Sequence, residues 1–167
     1  MGPQIEIPPR LIRTVYRKAS ERNQSFEDHE GWDNDAKSWG VDPEDRNVIG
    51  LMGEMAFAIY ADLEIDTDLV RWTDEGVDFE VTIDGMERSL DVKTSQKEPY
   101  ALFVKEWRVD SDYYVLGHLE GRTVTFLGAA TREMVLDANK KESKYGHVNY
   151  EVPTWALETL PESSDIL

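Results

Sequence analysis

A chain of 167 residues without an internal repeat is long enough to bury one sizeable core, so a single domain over residues 1–167 is expected. It has no cysteine, which excludes disulfide frameworks, thiolate nucleophiles and Cys-type zinc sites, and its 3 histidines are too scattered to form a metal box. Its 34 acidic residues against 18 lysines and arginines give a formal charge of -16, which argues against a generic nucleic-acid binder; spread along the chain, they favour an acidic surface suited to high salt over one that meets a basic partner.

The N-terminal MGPQIEIPPRLIR has no apolar signal core, and nowhere is there an apolar run of about eighteen residues, so a cytoplasmic protein with no membrane partner is expected. After Pro8-Pro9, residues 10–22 predict an amphipathic helix. Leu11, Ile12, Val15 and Ala19 form its apolar stripe, and Arg10, Arg13 and Arg17 share another face. That face is either a solvated surface or a phosphate-contacting patch. Residues 23–41, acidic and rich in Gly, Asn and Asp, read as a loop, so 1–41 forms a basic helix followed by an acidic connection. Asp42-Pro43-Glu44-Asp45 is a helix start, with a cap, a proline at the first helical position and acids in the first turn. The apolar residues Ile49, Met52, Met55, Ala56 and Ile59 carry that helix to about residue 62, and its mostly apolar surface predicts packing against a sheet.

Beyond it the period changes to two. Val77, Phe79, Val81 and Ile83 alternate with Asp78, Glu80 and Thr82, and Asp84-Gly85 signals a hairpin turn into SLDVKTS. There Leu90 and Val92 point one way and Asp91 and Lys93 the other. Strands are also expected at ALFVKEW, DYYVLGHL and TVTFLG, then a helix opening at Thr131 over TREMVLDANKK. The order predicts an α/β (α+β) domain with one central mixed sheet flanked by helices; its core spans about 42–138, with 139–167 as a C-terminal extension.

Within GLMGEMAFAIYA, residues 50–61, every residue is glycine, alanine or a larger apolar type except Glu54. A carboxylate buried there costs several kcal/mol (about 3 to 5 for a charge left unpaired), so it calls for a cation nearby. A structural ion pair would meet that need, as would a position at the edge of the helix. The hairpin offers another answer, because Asp78, Asp91 and Lys93 could converge with Glu54 where helix and hairpin meet. Three carboxylates repel one another more strongly than one lysine can offset, and an all-oxygen donor set suits Mg²⁺ or Mn²⁺ better than zinc.

This order of residues resembles the PD-(D/E)xK nuclease superfamily, in particular its small phage and archaeal members. Glu54 in the helix, Asp78 in the first strand and Asp91-Val92-Lys93 in the next match its motif, and DYYVLGHL with TVTFLGAATREM resembles its later strand pair and helix. Val77 stands where the family name has proline. The resemblance implies a restriction-endonuclease-like core and a Mg²⁺- or Mn²⁺-dependent deoxyribonuclease that hydrolyses phosphodiesters with activated water. It also implies that Asp78, Asp91, the backbone carbonyl of Val92 and Glu54 hold the metal, that Lys93 positions the nucleophile, and that Gln96 is a site-lining candidate. DNA is then the partner, with a homodimer as a candidate assembly. Arg10, Arg13, Arg17, Lys97 and Lys105 are the candidate DNA-binding residues, and the charge of -16 fits the high-salt cytoplasm of a halophilic host. The alternatives are a catalytically inactive member of the same fold that binds DNA or protein, and an acidic interaction protein.

Overall fold

The computed structural model describes residues 2–27, 43–63, 79–144 and 146–166. Two helices, eight strands, one short helix and two 3₁₀ turns follow one another along them. Strand β1 (Gln4–Glu6) leads into α1 (Pro9–Glu27), so this helix continues past the point where the composition predicted a loop; the rest of that predicted loop, with Asp42, lies outside the described residues. Helix α2 runs over Pro43–Tyr60 with proline at its first position, as the missing N–H of proline allows. It closes with Asp62 at φ 53: the Leu63 N–H donates to the Ala58 carbonyl and the Asp62 N–H to the Ile59 carbonyl, which satisfies two of the free carbonyls at the helix end.

Strands β2 (Phe79–Ile83) and β3 (Met86–Ser95) form the expected hairpin. Asp84 and Gly85 at its turn both have positive φ, 51 and 79, which gives the turn the twist that the flanking strands need. β3 then pairs in parallel with β5 (Tyr113–Glu120), β5 antiparallel with β6 (Thr123–Thr131), and β6 with β1. The result is a five-stranded mixed sheet in the order β1-β6-β5-β3-β2.

A second sheet departs from the single sheet expected. β4 (Ala101–Lys105), in the crossover between β3 and β5, pairs instead with β8 (Val148–Pro153), and β8 with β7 (Asn139–Glu142). The helix expected over TREMVLDANKK is only α3 (Arg132–Leu136), with the Thr131 hydroxyl accepting the Met134 N–H at its start. Val135 is its buried residue, and the chain from Asp137 to Ser143 offers no further large apolar side chain at helical spacing. Without a stripe to bury, those backbone groups are better satisfied by pairing with β8.

The mixed sheet divides two cores. On one face, Leu90, Val92, Val115, Val124 and Phe126 pack with Val15 and Ala19 of α1 and with Leu51, Met52, Met55 and Phe57 of α2. On the other, Tyr114, Leu116 and Ala130 pack with Leu102 and Val104 of β4, Val152 of β8 and Val135 of α3. Helices thus cover one face, and the small sheet with the short helix covers the other. After β8 the chain returns to the mixed sheet through bridges Ala129↔Glu158 and Ile83↔Ile166. Among the described residues no helix is long and apolar enough to cross a membrane.

Candidate functional site

Strand β3 carries the central pair. Its two-residue period sends Leu90 and Val92 into the helical core, so Asp91 and Lys93 stand on the face toward the small sheet. Asp91 is buried, and the Lys93 Nζ lies 2.8 Å from its Oδ2. The lysine side chain is 43% exposed, so the pair has a buried anionic end and a cationic end open to solvent. That opening is a cleft of about 350 Å³ lined by Lys93, Lys97, Tyr100, Phe103 and Leu116 among others.

Next to Asp91 in the ladder is Tyr114, fully buried, whose hydroxyl accepts the Ser111 N–H at 3.0 Å. Burial raises the Tyr114 phenol above its ordinary value, the Asp91 charge adds to that rise, and the Ser111 hydrogen bond and the Lys93 charge oppose it. Two residues before Asp91, the Ser89 N–H and hydroxyl both donate to Asp112 Oδ2, at 3.0 and 3.2 Å. Arg132 approaches the other oxygen of that carboxylate at 3.5 Å. These contacts fasten the entry of β3 to the entry of β5. The Ser89 backbone N–H is the main reason the Asp112 carboxyl is held below the usual carboxylate range, with help from the Ser89 hydroxyl, Arg132 and Arg88 against the opposing effect of burial.

Glu54 is buried on α2, the helix packed on β3. Its neighbour Gly53 fixes how close that packing is, since a methyl at Gly53 would overlap the Thr94 hydroxyl oxygen and lie 2.9 Å from the Thr94 Cβ. Thr94 is the residue after Lys93, so the backbone of Glu54 is held within one residue of a direct helix–strand contact at the Asp91-Lys93 segment. Asp78 lies outside the described residues. It precedes Phe79, whose ladder partner Leu90 precedes Asp91.

The other sequence candidates are distributed more widely. Val92 is buried with its side chain in the helical core. Gln96 is exposed just beyond β3, and its backbone carbonyl lies 3.1 Å from His118 Nε2. Lys97 lines the cleft, and Lys105 lies 5.5 Å from the centre of the Trp107 ring. Arg10, Arg13 and Arg17 are exposed on α1, which packs on α2 on the helical side of the mixed sheet. The basic residues are therefore divided between the helical side and the cleft side. Tyr100 and Phe103, which complete the cleft wall, have no counterpart in the sequence reading. The alternation of ALFVK announced a strand there, while its far partner β8 gave no warning.

Asp91, Glu54 and the Val92 carbonyl are hard oxygen donors of the type Mg²⁺ and Mn²⁺ take, but Asp91 stands on the small-sheet face of β3 while α2, which carries Glu54, packs on the other. Among the described residues no group of three or more His, Cys, Asp or Glu that could hold a metal ion converges, and Asp78 lies outside them. Comparison with protein-family models, with curated proteins and with solved structures found no match.

Proposed function

We propose that this chain is a metal-dependent deoxyribonuclease of the PD-(D/E)xK kind, a single domain with a restriction-endonuclease-like core acting in a salt-rich cytoplasm. The observation that carries this reading is the buried Asp91 paired at 2.8 Å with a Lys93 that opens into a cleft, on the strand against which α2 packs beside Glu54. A lysine retained only for structure has no need of a cleft at its amine.

Asp91, Asp78 and the Val92 carbonyl would hold one Mg²⁺ or Mn²⁺, with Glu54 joining from the α2 side through water; when bound, the ion lowers the pKa of water and neutralises developing phosphate charge. Asp91 serves the lysine as well as the cation. Its carboxylate holds the Lys93 ammonium on the cleft side of β3, where the amine can orient the attacking water and stabilise developing phosphate charge. Attack in line with the leaving oxygen yields a 5′-phosphate and a 3′-hydroxyl. Buried Leu90 and Val92 fix the orientation of the strand, so Asp91 and Lys93 leave it on the same face from backbone positions set by the ladder.

The experiment is cleavage of plasmid, linear, single-stranded and branched DNA with Mg²⁺ or Mn²⁺ from dilute to molar KCl, alongside Lys93→Ala and Asp91→Asn. Asp91→Asn should lose metal affinity and cleavage together, whereas Lys93→Ala should retain metal binding and lose turnover. Metal binding unchanged in Asp91→Asn would refute the assignment. DNA binding without cleavage under every condition would instead identify an inactive member of the same fold.

A further inference from the structure

The wall that the small sheet gives the cleft has no part in the chemistry above. Among the described residues the exposed large apolar side chains include Tyr100 at 61%, Trp107 at 57% and Trp155 at 87%, all at the ends of β4 and β8. Lysines accompany two of these rings: Lys141 Nζ lies 5.3 Å from the centre of Tyr100 and donates to its hydroxyl at 2.9 Å, and Lys105 lies 5.5 Å from the centre of Trp107. Phe103 meets Tyr100 edge to face at 5.6 Å, and the Thr154 N–H donates to the Tyr100 carbonyl, fixing the turn that carries Trp155 beside it. The ladder places Phe103 opposite Glu151, and Asn149 opposite both Lys105 and Lys141, so these side chains share the outer face of the small sheet.

Lys105 and Lys141 stand on that outer face, with Glu151 3.7 Å from Lys141, and Lys97 lines the cleft beside Tyr100, in a protein whose formal charge is -16. We propose that this outer face is a stacking platform for an unpaired DNA strand, with bases on Tyr100, Trp107 and Trp155 and phosphates beside Lys97, Lys105 and Lys141, leading into the cleft at Lys93. The proposal rests on the nuclease reading and specifies its substrate as single-stranded or frayed DNA. Exposed rings recognise bases only where these are unstacked, because a duplex keeps its base faces inside. An acidic peptide would meet the lysines' charge and leave three large rings in water. A base fits both, since it brings a flat apolar face and a phosphate together.

Binding of a fluorescein-labelled oligothymidylate, measured in EDTA so that no cleavage occurs, tests the platform apart from the chemistry. Tyr100→Ala and Trp107→Ala should each weaken binding about tenfold, with Tyr100→Phe close to the parent and melting temperatures confirming that all three fold. Lys97→Ala and Lys105→Ala should each reduce the slope of log affinity against log salt by about 0.7. Alanine variants that bind like the parent, a duplex that competes as well as the single strand, or displacement by polyglutamate would each overturn the proposal. Single-strand binding that persists in a protein unable to cut DNA would refute the nuclease reading alone. Metal-dependent cutting with no single-strand preference would refute the platform alone.

Discussion

Gly53→Ala should destabilise the protein although alanine is the better helix former. In an exposed helix interior the exchange stabilises by about 1 kcal/mol. Here the new methyl would overlap the Thr94 hydroxyl and lie 2.9 Å from the Thr94 Cβ and 3.2 Å from its Cγ2. The hydroxyl can rotate away, but the Cβ is fixed to β3, and ordinary carbon–carbon contact needs about 3.5–4.0 Å. α2 therefore has to move off β3 by roughly 0.6–1 Å, and overpacking of this kind costs about 1–3 kcal/mol. Set against the gain of about 1 kcal/mol, a net loss of up to about 2 kcal/mol follows, or up to roughly 4–8 °C in melting temperature for a domain of this size. Gly50→Ala, in the same helix, is the control, because a methyl there meets nothing within 4 Å and should raise the melting temperature. Thermal unfolding of the two variants in parallel gives the answer. If both rise, α2 does not approach β3 at Gly53 and the placement of Glu54 beside the Asp91-Lys93 segment is wrong.

Asp112→Asn should cost stability in a pH-dependent way. The carboxyl is held below its ordinary value of about 3.9 in the folded state, so its contribution is complete above the unfolded pKa and fades as pH falls through the lower folded one. The gap in denaturant midpoint between parent and variant should be constant above about pH 5 and narrow below about pH 4; a gap independent of pH would contradict the Ser89 contacts. Asp91→Asn should lower the Tyr114 titration toward its ordinary value by removing a neighbouring negative charge, read from phenolate absorbance, and an unshifted titration would separate the two groups. Raising KCl from dilute to molar should raise the melting temperature, since screening relieves repulsion among 34 acidic residues. A flat response would instead favour an acidic surface made for a basic partner.

The faces of β3 were legible because alternation needs only neighbouring residues: Leu90-Asp91-Val92-Lys93 states which side chains go together without any knowledge of the partner strands. The same holds for the Asp84-Gly85 turn and for α2, whose proline start and apolar run are local signals. Depth was not legible, so the burial of Asp91 against the openness of Lys93 appears only once Tyr114 and the cleft are in place. β1 is three residues long and β7 is exposed throughout, so neither had a period to read. The second sheet was missed for a related reason. Leu102 and Val152 face each other across a sequence separation that no local pattern spans, and the short α3 looked like a longer helix because the polar residues after it tolerate either conformation.

The parallel pairing of β3 with β5 forces a crossover, and β4 lies within that crossover. Its partner β8 lies after β5, β6 and β7, with Leu102 and Val152 fifty residues apart, whereas β2 and β3 are joined by a two-residue turn. Hairpins close in about 1–10 μs, and each longer loop must lose more chain entropy before its contacts compensate. During synthesis the strand bearing Asp91 and Lys93 is thus available for pairing long before β8 leaves the ribosome. The floor of the cleft can be laid down while its Tyr100-Phe103 wall still waits for β8, so a nascent chain that has reached only β6 presents the ionic pair without an enclosure around it.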